Sequence, residues 1–264
     1  MKKIFSMIIP IFVILVGTII VPRVVAGTVN SSTLIVISMG MIAFLFLFRP
    51  KKGATKSTQQ VMEDVFDEYC QDAFSGSEDL EKKFMAAIQD VSQNLPKAAI
   101  SKLQKLAPQC SSDQQKYAVA KASALVYRLT QDWKNAIREY NKALILNPTD
   151  ILAYNIGECN QRIGNLDKAR DSYEFAMELD PNNPQYPSSL GTVCVGEGNY
   201  DSAIDYALDA LDLDERFSQA LATLAICYGV QRNTDMYDKY SRLAVENGYS
   251  SEKIETTVKT LRKR

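Results

Sequence analysis

Residues 150–183 read DILAYNIGECNQRIGNLDKARDSYEFAMELDPNN. The stretch divides into a helix, a Gly164-Asn165 turn, a second helix, and the stop Asp180-Pro181-Asn182-Asn183. Helical spacing of the apolar residues and glycine and proline at the breaks support that division, and no strand-like alternation of useful length competes with it. Two helices this short cannot bury their apolar faces alone. A neighbouring pair must cover them, so the fold follows from whether the chain repeats the unit.

It does. Ala136, Ala169 and Ala203 stand 33 and 34 residues apart, and Ala143, Ala176, Ala210 and Ala244 follow at 33, 34 and 34. Ala124, Gly157, Gly191 and Ala225 form a third column with the same intervals. The columns define units at 117–149, 150–183, 184–217 and 218–249 and predict an all-α superhelix of stacked hairpins. Small residues let helices approach closely, while Trp133, Tyr140 and Tyr173 fill the wider gaps. Pro184 and Pro187 predict that the first helix of the third unit is delayed by a few residues. Tyr237 takes a place that is small in the other units, which predicts different packing for the last second helix.

Upstream, 58–116 reads as further helix with a degenerate repeat. A first amphipathic helix is expected from about 58 to 74 on Val61, Val65, Phe66, Tyr69 and Cys70, and Ser75-Gly76-Ser77 ends it and caps the next. That next helix covers about 78–92, and Pro96 opens another that runs to Pro108. Residues 250–264 predict a capping helix with Ile254, Val258 and Leu261 on one face. Its basic companions Lys253, Lys259, Arg262, Lys263 and Arg264 leave contact with anionic lipid as the other reading.

These units resemble the tetratricopeptide repeat, whose pattern has a small residue late in the first helix, Ala and an aromatic in the second, and a closing proline. Gly157, Ala169, Tyr173, Ala176 and Pro181 carry the resemblance in one unit. Ala124, Tyr127, Trp133, Ala136, Tyr140, Ala143 and Pro148 carry it in the unit before. Leu190, Gly191, Ala203 and Ala210 continue it, with Glu215 where proline is usual; Leu221, Leu224, Ala225, Tyr228 and Ala244 mark the fourth.

The resemblance implies a partner-binding groove along the concave face of the first helices, at positions 2, 5, 9 and 12 of each unit. Carried over, these give Lys121 and Arg128, then Tyr154, Glu158 and Gln161, then Gln185, Ser188 and Thr192. Chaperone-binding members clamp a terminal carboxylate with Lys and Asn. Lys121 and Asn155 match two clamp positions, but Leu125, Gln185 and Ser189 occupy others. The run Gly196 to Asp201 follows a helix instead of a strand, so it reads as a turn and not a phosphate loop.

The other end of the chain is apolar. Residues 4–21 and 33–48 each read as a transmembrane helix, with 53–57 as a linker to the repeat region. Residues 1–52 hold six Lys or Arg and no acid, and all 31 acids lie beyond. Lys2 and Lys3 before the first span, and Arg49, Lys51, Lys52 and Lys56 after the second, place both termini and the repeats in the cytoplasm. A cleaved signal peptide ending at Val24-Val25-Ala26 is the competing reading of the first span, and it leaves the repeats on the same side.

No histidine is present, which excludes Ser-His-Asp and Cys-His catalysis and every His-ligated metal. The five cysteines are odd in number, lack a C-x-x-C pair, and read as reduced thiols buried in helices. Asp209, Asp212 and Asp214 read as a solvated acidic face. The acidic repeat region has no basic stripe with interleaved aromatics, so nucleic acid is not an expected partner. The resulting expectation is a non-enzymatic, cofactor-free scaffold that is anchored in a bilayer by two helices and binds a protein or peptide. The alternatives are an assembly factor or co-chaperone for membrane or envelope proteins, and an enzyme working through Asp, Glu or Cys.

Overall fold

Residues 73–263 are described by a computed structural model of the chain. The expected spans at 4–21 and 33–48, the linker at 53–57 and all but the end of the helix from 58 lie outside these residues. Among the described residues no helix is long and apolar enough to cross a membrane.

The order is α1 (Glu78–Ser92), α2 (Pro96–Leu106), a 3-10 turn (Ala107–Gln109), α3 (Asp113–Leu129), α4 (Trp133–Leu146), α5 (Asp150–Arg162), α6 (Leu166–Leu179), α7 (Gln185–Glu197), α8 (Tyr200–Leu213), α9 (Ser218–Val230), α10 (Thr234–Glu246) and α11 (Ser251–Leu261). Local chemistry sets many of these starts. Ser112 and Gln115 form a reciprocal capping box on α3, and Thr149 accepts from the Leu152 amide at the head of α5. Asp132, Asn199, Asn233 and Ser250 cap α4, α8, α10 and α11 in the same way. Each second helix packs on the first helix of its own unit and on that of the next, while α11 rests chiefly on α9.

Three local expectations need correction. Phe74 does not continue a helix: residues 73–76 form a turn, and its ring lies 4.8 Å from that of Phe84. Ser77 stands at the cap position of α1, but its side chain makes no capping bond. The third unit is delayed by a single position and not by several, because Pro184 sits outside α7 at φ −63° and Pro187 falls in the first turn, where no backbone N–H is needed.

The turn inside each unit is one device repeated. Asn94, Gln131, Gly164, Gly198 and Arg232 all have φ between 59° and 81°. Beyond them, the amides of Asp132, Asn165, Asn199 and Asn233 donate to carbonyls five residues back, at 2.9 to 3.0 Å. This left-handed closure favours glycine, yet two units use long side chains. Arg232→Gly and Gln131→Gly should each stabilise the fold by up to about 1 kcal/mol. A urea midpoint that moves upward for both checks this.

The small-residue columns are where helices touch. A Cβ on Gly157 would stand 2.5 Å from Tyr173 Cε1, and one on Gly191 would stand 3.2 Å from the Ala203 carbonyl oxygen. In the last unit Tyr237 was expected to alter the packing, but α9 and α10 pack as extensively as the other pairs. Gly229, one turn beyond Ala225, makes the room: a Cβ there would meet Tyr237 at 2.9 Å and Val258 of α11 at 2.7 Å. One missing methyl therefore seats both the large residue and the cap. Arg262 then donates from Nε to the Gly229 carbonyl at 2.9 Å and ties the end of α11 to α9.

Candidate partner-binding groove

First helices α3, α5, α7 and α9 supply the candidate surface, and they differ in how much of it they present. On α3 the groove positions Ala118, Lys121 and Leu125 are buried, with Lys121 only 7 % exposed. Its ammonium lies 5.8 Å from the centre of the Tyr117 ring on the preceding turn. Lys121, expected as an open groove residue, is thus a buried side chain. Arg128, at the end of α3, reaches α5 through Nη1 to Glu158 Oε2 at 3.3 Å, and both side chains are about 30 % exposed.

The middle of the surface is built on aromatic rings. Tyr154 of α5 has its ring centre 5.6 Å from Tyr173 and 5.7 Å from Tyr186. Burial first, then the Glu158 charge, holds its phenol above the usual range. Tyr173 donates to Gln161 Oε1 at 2.9 Å, and Tyr186 donates to the Asp150 carboxylate. Burial is the main cause of the upward shift at both phenols. Gln185 donates to Ser189 Oγ at 3.3 Å. Thr192 donates to the Ser188 carbonyl at 3.1 Å and accepts from Gln219 of α9 at 3.5 Å.

Two expected residues are turned to structure. Asn155 is buried and its Nδ2 donates to the Ile151 carbonyl at 2.8 Å. With Lys121 and Asn155 both buried, a carboxylate clamp has neither of its two matching residues on an open surface. Ser188 is fully buried, and its Oγ has no hydrogen-bond partner among the described residues. The residues brought together on one surface are Arg128, Tyr154, Glu158, Gln161, Gln185 and Thr192. Sequence reasoning missed Ile151, which is 55 % exposed, and Gln219. The same positional rule continued into the fourth unit marks Gln219, so its signal was available.

Among the described residues no group of three His, Cys, Asp or Glu is placed to hold a metal. Cys110, Cys159, Cys194 and Cys227 are free and buried. Cys110 lies just past the 3-10 turn and not inside a helix. Burial pushes the Cys159 and Cys227 thiols up to about 12. At pH 8 these two should stay silent toward a disulfide reagent in native protein and react on addition of denaturant. Rapid labelling of Cys159 or Cys227 in native protein, seen by peptide mass mapping, would contradict this.

Residues 152–183 match the family model described as "Tetratricopeptide repeat". Curated relatives are Anaphase-promoting complex subunit 6 of Dictyostelium discoideum, 32 % identical over 78 residues, and BBSome complex member BBS4 of Bos taurus, 30 % identical over 124 residues. A third, Hsp70-Hsp90 organizing protein 3 of Arabidopsis thaliana, is 28 % identical over 113 residues. These cover 29 %, 47 % and 42 % of this chain, but only 9 %, 22 % and 19 % of the relatives. The chain thus spans less than a quarter of each. The solved structure titled "YrrB: a TPR protein with an unusual peptide-binding site" aligns at a TM-score of 0.56 with 18 % identity, covering 73 % of this chain and 98 % of that one. MamA aligns at 0.57 with 19 % identity, over 64 % and 91 %. A repeat protein from Parabacteroides merdae aligns at 0.62 with 16 % identity, over 70 % and 73 %. At these identities the structural likenesses concern the fold.

Proposed function

We propose that this tetratricopeptide-repeat protein is a membrane-anchored scaffold that binds a protein or peptide along α5, α7 and α9. The carrying observation is the continuous row Tyr154, Glu158, Gln161, Gln185, Thr192 and Gln219, part-exposed side chains offering both hydrogen-bond donors and acceptors beside the buried rings of Tyr173 and Tyr186. Such a row suits an extended segment, which needs main-chain partners along its length. Repeats of this kind serve as scaffolds, and catalysis has no role in this reading. The peptide-binding site of YrrB supports it by analogy of fold. The membrane part rests on the apolar runs at 4–21 and 33–48, and the cytoplasmic placement rests on their basic flanks. Anchoring would raise the partner's effective concentration near the bilayer.

Photocrosslinkers introduced at Ile151 and Gln219 in intact membranes test the groove. They should capture one partner, and Tyr154→Ala with Gln185→Ala should abolish capture without altering the fold. Capture that is equal in both proteins would sink the groove. Protease added to sealed cells tests the cytoplasmic placement separately: the repeats should survive outside treatment and be digested only after lysis, and full-length protein found freely dissolved on fractionation would sink the anchor. The burial of Lys121 and Asn155 speaks against recruitment through a carboxylate clamp.

A further inference from the structure

The opposite face, formed by the second helices, carries an independent feature. Between α2 and α4, above α3, lies an open cleft of about 580 Å³ floored by Leu103, Val119 and Leu146, with Ile145 at its edge. Ile145 is 82 % exposed. Lys116, Arg138 and Lys142 stand around this apolar floor. Glu139 is the acid among them, and Arg138 and Lys142 both pair with it, at 3.0 and 2.9 Å. Lys116 has Asp113 3.2 Å away on an open helix start. The rim is net cationic over an apolar base.

Two units further along, α8 presents the counterpart. Its sequence YDSAIDYALDALDL contains four aspartates and no Lys or Arg. Asp205, Leu208, Asp209 and Asp212 recur at helical spacing and all are exposed, Leu208 by 40 %. An apolar knob is thus surrounded by three carboxylates, none of which is in an ion pair among the described residues. Burial and the nearby charges of Asp212 and Asp205 raise the Asp209 carboxyl above its usual range, so the face is crowded with like charge.

We infer that the α2–α4 cleft receives α8 of a second copy of this chain, with Leu208 seated on the apolar floor and Asp205, Asp209 and Asp212 facing Lys116, Arg138 and Lys142. Both halves are on the same polypeptide and differ in sign, so each copy offers a socket and a knob. Because socket and knob lie on the same face, two copies can also pair reciprocally, each knob in the other's socket, as a two-fold dimer does. Opposite charge steers the encounter, and apolar burial holds it. The groove on the other face stays open in this assembly.

Full-length protein in nonionic detergent tests this by sedimentation velocity. Wild type at about 100 µM should associate in about 50 mM NaCl and dissociate, with at least a ten-fold weaker constant, in about 500 mM. A knob variant, Asp205→Lys with Asp209→Lys, and a socket variant, Lys116→Glu with Lys142→Glu, should each be monomeric alone. Arg138 is left in place so that Glu139 keeps a partner. An equimolar mixture of the two variants should associate again, since the intact socket of the first meets the intact knob of the second and the reversed knob meets the reversed socket. Leu208→Ser, which changes no charge, should weaken association as well, and circular dichroism confirms that each variant folds. Monomeric wild type at low salt, association indifferent to the reversals, or a mixture that stays monomeric would each overturn the assignment.

Discussion

Gly157→Leu should be the most damaging single substitution among the repeat columns, with a loss of more than about 3 kcal/mol, and Gly157→Ala should cost about 1 to 2 kcal/mol. Even the first atom of a side chain at Gly157 would fall 2.5 to 3.0 Å from three ring atoms of Tyr173. The ring has little room to retreat. It is 1 % exposed, its hydroxyl is held by Gln161, and Tyr154 lies against it on the groove side. A methyl is acceptable at this column in the unit before, where Ala124 takes the place of Gly157 and Tyr140 that of Tyr173, so the conflict arises from how closely α5 and α6 have approached. For a domain of this size each kcal/mol moves the melting midpoint by about 2 to 4 °C. The attribution can be separated from a general dislike of side chains in α5 by a double-mutant cycle. Tyr173→Leu should be costly by itself, yet Gly157→Ala should cost much less on that background. Additive losses would show that the ring is not what Gly157 accommodates.

The damage should also reach the groove, because the residues that fix α5 against α6 also fix Tyr154 and Gln161. In a stacked array, stability is shared between neighbouring units, and a loosened interface is felt on both sides of it. Reduced photocrosslinking from Ile151 in Gly157→Ala, under conditions where the protein is still folded, is the expected result.

The repeat architecture could be read from the chain because it depends on spacing. A column of Ala143, Ala176, Ala210 and Ala244 is a one-dimensional pattern that any fold must express as one face of successive helices. What could not be read depends on meetings between residues remote from each other. The room for Tyr237 comes from Gly229 on the facing helix, outside the column that made Tyr237 look anomalous. The left-handed turn residues were visible as Gly164 and Gly198 but hidden as Gln131 and Arg232, since those side chains give no sign of positive φ. The groove was half legible. Position alone marked Arg128, Tyr154, Glu158, Gln161, Gln185 and Thr192, but it also marked Lys121 and Ser188, which packing removed from the surface. Position within a repeat states which way a side chain leaves the helix; whether solvent is there depends on what else has been folded over it.

Alkaline pH should unfold this protein through its buried thiols and phenols. Cys159 and Cys227 have thiols held up to about 12 by burial, against about 9 in the open chain. Tyr154, Tyr173 and Tyr186 are likewise held above their ordinary 10, burial being the largest cause in each. In every case the native state keeps its proton at a pH where the unfolded chain has released it. The native state therefore binds more protons than the unfolded state between the two values, and stability falls as pH rises through that window. The contribution is fully present below about pH 9, begins to fade as the unfolded-state thiols ionise, and fades faster above 10 as the tyrosines join. Each thiol should cost on the order of 2 kcal/mol by pH 11, comparable to a sizeable part of a domain's whole margin. Urea midpoints measured from pH 7 to 11 should be level to about 9 and then drop steeply. In Cys159→Ala with Cys227→Ala, the protein should start less stable at neutral pH because two buried side chains are shortened, yet its midpoint should fall more shallowly above pH 9, where Cys110, Cys194 and the tyrosines remain to titrate. A variant that falls in parallel with wild type from pH 9 would place the alkaline sensitivity elsewhere, most directly with lysines losing charge near 10.4.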